Sequence, residues 1–95
     1  MILSLAPLIL AVMPQAVQPV ASTLPPDVTA FMTRRNECDH YRGEDSPDPG
    51  RRAEIDAELT RLCTGSDREL ARLKHKHARN AAVLRALDAY ELRIE

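Results

Sequence analysis

Two cysteines, Cys38 and Cys63, and the segment between them restrict what this chain can fold into more than any other feature. Glu44 to Gly50 (Glu-Asp-Ser-Pro-Asp-Pro-Gly) has no large apolar side chain and reads as a turn, with Asp48 and Pro49 placed to open a helix. The thiols therefore fall on two successive helices. Cys38 lies about one turn from the end of the first, whereas Cys63 is ~18 Å along the second from its start. A disulfide needs Cα atoms within about 7 Å of each other, which a tight antiparallel hairpin would not give. If the pair is bridged, the turn must double back or the helices must cross steeply.

Whether the pair is bridged depends on the compartment, and the N-terminus bears on that. The first 26 residues carry no charged side chain, and the rest of the chain holds all 13 Lys/Arg and all 14 Asp/Glu. Met1 to Met13 is apolar apart from Ser4 and is broken by Pro7, with Pro14 following it. Thirteen residues make a helix of only ~20 Å, too short for a hydrocarbon core of about 30 Å. Residues 1–22 instead read as a secretory signal peptide, cleaved after Ser22, where Val20-Ala21-Ser22 supplies small side chains. No Lys or Arg precedes the apolar run, so an uncleaved anchor or an ordinary buried helix are the alternatives. No cysteine lies near the end of this leader to take a lipid. The expected localisation is exported, and periplasmic if the source is Gram-negative. In an oxidising compartment two cysteines in a small domain pair, and closing this loop would stabilise by roughly 3–3.5 kcal/mol. Two separate buried thiols are the other reading.

Residues 23–26 form a flexible lead-in, and residues 27–95 form one all-α domain, a small bundle of three to four short helices. The first helix is expected from Asp27, as its cap, to about Tyr41. Val28, Phe31, Met32 and Cys38 share one side, with Arg34, Arg35, Glu37 and Asp39 on the others, and Gly43 is the stop. The second, from about Arg51 to Cys63, carries Ile55, Leu59, Leu62 and Cys63 as its stripe. Thr64-Gly65 ends it, and Ser66-Asp67-Arg68-Glu69 reads as a capping box opening a third. An unbroken helix from 67 to 92 would turn His77, Asn80 and Glu91 inward, so a break is expected near Asn80. Val83, Leu84, Leu87 and Tyr90 then face inward from a fourth helix, and Glu91 to Glu95 is expected to fray. With Phe31, Tyr41 and Tyr90 as the sole aromatics, the core must be largely aliphatic. Domains this small commonly need a staple.

The residues point away from catalysis. His75 and His77 are two apart on a helix and face different sides, and His40 is remote, so no metal site is expected. The Cys-x-x-Cys-His signature of haem attachment and a glycine-rich phosphate loop are both missing. Ser46 and Ser66 sit in a turn and at a helix start, with no organised base. No catalytic residue, cofactor or small-molecule substrate is assigned.

Charge is where partner binding could reside. Residues 27–58 hold nine acids and five bases, and residues 59–95 hold eight bases and five acids. The net charge of −1 disfavours a nucleic-acid partner. Two candidate surfaces stand out: the acidic turn with Glu44, Asp45 and Asp48, and the basic run with Arg72, Lys74, Lys76 and Arg79. The plain alternatives are turn solubility for the first and pairing with acids of the first helix for the second. The partner would be another envelope protein, or a membrane or cell-wall surface touched peripherally.

The string Arg34-Arg35-Asn36-Glu37-Cys38-Asp39-His40-Tyr41-Arg42-Gly43-Glu44, followed by Arg51-Arg52, Leu62-Cys63-Thr64-Gly65-Ser66-Asp67 and Val83-Leu84-Arg85-Ala86-Leu87, resembles a group of small exported proteobacterial proteins without an assigned activity. The resemblance implies a periplasmic setting and a two-cysteine helical domain. Cys63, Asp67, Leu70 and Leu73 are also similar to the lysozyme-inhibitor-like helical domains of bacterial envelopes, although the cysteine spacing here is much wider. Two functions are thus expected: a non-catalytic envelope interaction module, or an inhibitor of a cationic wall-degrading enzyme acting through Glu44, Asp45 and Asp48, with a hydrolase as a remote third.

Overall fold

The computed structural model describes residues 24–95, so the expected signal peptide lies outside the described residues. The described chain is all-helical, with α1 (Pro26–Arg42), α2 (Pro49–Cys63), α3 (Ser66–Lys76) and α4 (Ala81–Leu87). α1 starts on the Pro25-Pro26 pair, where a fixed φ and a missing N–H cost nothing in the first turn. The Pro25 carbonyl accepts from Val28 and Thr29 at 3.0 and 3.1 Å. Asp27 therefore falls inside the first turn instead of capping it. α2 starts as expected: Asp48 Oδ2 accepts from the Arg51 amide at 2.9 Å, with Pro49 behind it. The break near Asn80 is present too, and Asn80 Oδ1 caps α4 by accepting from the Val83 amide at 3.2 Å.

The main core joins three of the four helices. Val28 and Phe31 of α1, Leu70 and Leu73 of α3, and Val83 and Leu87 of α4 form one buried cluster, with Leu24, Met32 and Tyr90 packed against it. Burying each such side chain contributes roughly 1.5–3 kcal/mol. Phe31 and Tyr90 meet edge to face with centroids 5.6 Å apart. Ile55 and Leu62 of α2 are buried but lie outside this cluster.

α2 packs along α1, and the disulfide between Cys38 and Cys63, whose Cα atoms are 5.2 Å apart, ties the two covalently. Arg34 of α1 also donates to the carbonyls of Arg61, Leu62 and Thr64 at 3.0–3.1 Å, satisfying the C-terminal end of α2. At its other end α2 meets Tyr41 and Glu44 through Arg51. These contacts span about two turns of α1 but more than three of α2. The Cα separation meets the requirement that the cysteine spacing raised.

The capping box at Ser66 does not form. Gly65, at φ 81°, is the N-cap of α3, and Ser66 is already inside the helix. This left-handed backbone suits glycine and would strain any residue with a Cβ. The cap comes from the far end of the chain. Glu95 accepts from the Gly65 and Asp67 amides, both at 3.0 Å, and Asp67 in return accepts from the Ile94 and Glu95 amides at 2.9 and 3.1 Å. Residues 91–95 are accordingly held against the body, where fraying was expected. A negative charge at the start of a helix also suits its dipole.

Both carboxyls of this reciprocal cap are held below their ordinary values. The Ile94 amide does most for Asp67, and the Gly65 amide for Glu95. Asp27 is lowered further, to about 2, first by its bond to Lys76. A carboxyl lowered by folding stabilises above its unfolded value, and that contribution fades as pH falls through the folded one. Urea midpoints should therefore drop as pH is taken from about 4.5 to 2. An Asp27→Asn/Asp67→Asn/Glu95→Gln variant should show a visibly flatter profile over that range. A slope equal to that of the wild type would remove these three groups as the cause.

Candidate functional site

The acidic turn is largely committed to the fold. Glu44 Oε1 accepts from Arg51 Nε at 3.1 Å, and its second oxygen is buried without a hydrogen-bond partner. Glu44 holds the Arg51 guanidinium well above its ordinary value, with Glu54 adding to the effect. Asp45 pairs with Arg52 at 3.0 Å, and Asp48 is spent on the α2 cap. Asp45 projects fully into solvent, with its side chain 90% exposed, and Asp48 is exposed as well. Two of the three carboxylates are paired with arginines of α2 and the third caps it, which makes the turn a weak lure for a cationic partner.

The basic run divides into flanks and an outer row. On one flank Lys76 and His77 reach back to Asp27 of α1, the pairing across helices expected for this run. On the other flank Lys74 pairs with Asp88, just beyond α4, at 3.1 Å. Arg72 pairs with Glu69 one turn earlier, which raises the guanidinium and lowers the carboxyl. Arg79 is exposed in the turn after α3 and makes no ion pair among the described residues. The four candidate cations therefore do not converge on one point. Lys74 and Lys76 lock α3 to its neighbours, while Arg72 and Arg79 face outward.

The residue most deeply engaged is one the sequence placed on the outside. Arg35 has a side chain with no exposed surface and bridges three elements. Its Nε donates to Asp39 at 3.0 Å, Nη1 to Ser66 Oγ at 2.9 Å and Nη2 to the Glu91 carbonyl at 2.8 Å. Its guanidinium carbon also lies 5.6 Å from the Tyr90 ring centroid. Val28, Phe31, Arg35 and Cys38 follow an i, i+3, i+7, i+10 course, so helical spacing marked position 35 as inward. Its charge hid it.

Beside Arg35, an open groove of about 360 Å³ runs between α1 and the start of α3, lined by Asp27, Phe31, Arg34, Leu62, Ser66 and Glu69. Its ionisable groups are already engaged: Asp27 with Lys76, Glu69 with Arg72, and Arg34 with the carbonyls ending α2. Ser66 Oγ accepts from Arg35, and Ser46 Oγ accepts from the Asp48 amide at 3.2 Å. Among the described residues, no three His, Cys, Asp or Glu side chains gather where a metal ion could sit. No helix of the described residues is long and apolar enough to cross a membrane.

The chain matches no family model, no curated protein and no solved structure.

Proposed function

We infer that this is an exported, non-catalytic interaction module, a small helical body whose task is to present a charged surface in the cell envelope. The disulfide between Cys38 and Cys63 carries the reading. Such bonds persist in oxidising compartments, and here one joins α2 to α1. The charge-free N-terminal stretch supports the same setting, since its length suits a secretory leader better than a membrane span.

The engagement of the side chains favours a surface over a pocket. A general base or nucleophile must be held ready for a substrate, whereas the serines and the groove carboxylates are taken up by contacts within the fold. Between the two charged surfaces, the basic side leaves more charge unbalanced than the acidic turn does.

Intact mass spectrometry with alkylation, on protein taken from its native cell, tests the setting. The expected species lacks residues 1–22 and resists alkylation until reduced. An intact Met1 with two readily alkylated thiols would sink the reading.

A further inference from the structure

α3 turns a continuous basic row outward. Ser66, Leu70 and Leu73 face the core, and the opposite side of the helix carries Arg68, Arg72 and His75, continued by Arg79 in the following turn, all exposed. Arg68, Arg72 and His75, spaced by four and three residues, share one helix face, and Arg79 follows beyond the end of α3. Ala71 on the helix and Ala78 in the turn are also exposed, and Glu69, paired with Arg72, is the one acid at the edge of this row. The flanking lysines point sideways into their ion pairs with Asp27 and Asp88.

We propose that this face docks the protein on an anionic phospholipid surface, with headgroup phosphates facing Arg68, Arg72 and Arg79. The proposal rests on the module reading above and names the partner for it. Three features favour a lipid layer. The row has no large apolar or aromatic anchor, and a tight protein interface is built around such anchors. It lacks the aromatics on which single-stranded nucleic acid stacks. A row of exposed charges asks only for an extended array of phosphates, which a headgroup layer supplies. The charge imbalance orients the molecule as well, because the acidic excess belongs to residues 27–58 and would face away. Arg72 can exchange Glu69 for a phosphate, since both partners of that pair are solvent-exposed.

The test is co-sedimentation of the processed chain, residues 23–95, with vesicles of phosphatidylcholine alone and with 30% phosphatidylglycerol, at low and at 0.5 M salt. The expected result is binding that needs the anionic lipid and disappears at high salt. An Arg68→Gln/Arg72→Gln/Arg79→Gln variant should bind on the order of 100-fold more weakly. An Arg52→Gln/Arg61→Gln/Arg93→Gln variant, with the same net charge altered elsewhere, should stay within about threefold of wild type. Circular dichroism of both variants checks that the fold is kept. Equal binding to both vesicle types overturns the proposal. So does equal weakening by the two variants, or capture by soluble polyphosphate with none by vesicles. A disulfide-bonded, processed protein that ignores anionic vesicles loses only this docking face. Free thiols together with salt-sensitive vesicle binding would sink the exported setting and leave the face standing.

Discussion

Arg35→Ala is expected to lower the stability of the folded domain by about 3 kcal/mol, with a urea midpoint reduced in proportion. In a domain of this size that corresponds to a fall in Tm of more than 10 °C. The loss has two parts. Removing the side chain empties a site among Phe31, Cys38, Ser66 and Tyr90, and a cavity beside a packed cluster costs free energy through lost contacts. It also leaves the buried Ser66 hydroxyl without its donor. Asp39 is 36% exposed and can take water instead, so the charge term is the smaller one.

Two further variants separate these parts. Arg35→Met keeps most of the apolar stem and should recover about half of the loss. Arg35→Lys keeps the charge, but one ammonium on a flexible stem does not serve Asp39, Ser66 and Glu91 together, so it should remain well below wild type. An Arg35→Ala/Ser66→Ala pair should cost less than the sum of the singles, because Ser66 then has nothing to leave unsatisfied. Arg35→Ala within about 0.5 kcal/mol of wild type would show that position 35 is a tolerant surface site, contrary to its burial.

How much of this fold was legible follows from the distance over which each contact acts. Signals written within four residues were readable: Asp48-Pro49 opening α2, Gly65 closing the turn before α3, and Asn80 interrupting the helix after it. The apolar stripes gave the core as well, since Val28, Phe31, Leu70, Leu73, Val83 and Leu87 all recur at helical spacing. The misplaced features depend on partners far along the chain. Ser66 looks like a cap because Glu69 follows it, yet Arg35, thirty-one positions earlier, takes its hydroxyl. Asp67 and Glu95 cap each other across some twenty-eight residues, and no local rule links a helix start to a distant carboxylate. Asp27 was read as a cap for its own helix, and its pull toward Lys76 and His77 was set by the packing of α1 on α3. The candidate surfaces were half legible for the same reason. The basic run was visible as composition, but its division into flanking lysines and an outward arginine row required the position of each neighbouring helix.

The second large effect concerns the disulfide, and it should be uneven across the molecule. A Cys38→Ser/Cys63→Ser variant, or reduction of the wild type, is expected to lose roughly 3 kcal/mol on the chain-entropy estimate. Uniform loss would be expected if α2 shared the main core. It does not, because Ile55 and Leu62 are its buried apolar residues and both lie outside the cluster made by α1, α3 and α4. Without the cross-link, α2 keeps those two side chains and the Arg34 bonds to its last carbonyls, while Val28, Phe31, Leu70, Leu73, Val83 and Leu87 stay packed. Local opening should therefore come before global unfolding. In hydrogen exchange the amides of α2 should lose protection by on the order of 100-fold in the cross-link-free variant. Those of α3 around Leu70 and Leu73 should change much less. Adding Arg34→Ala should widen the gap, because it removes the polar tie at the same end of α2. Equal loss of protection in α2 and α3 would mean that α2 belongs to one cooperative unit with the core, and the bond between Cys38 and Cys63 would then be a general stabiliser and not the strap that holds one helix in place.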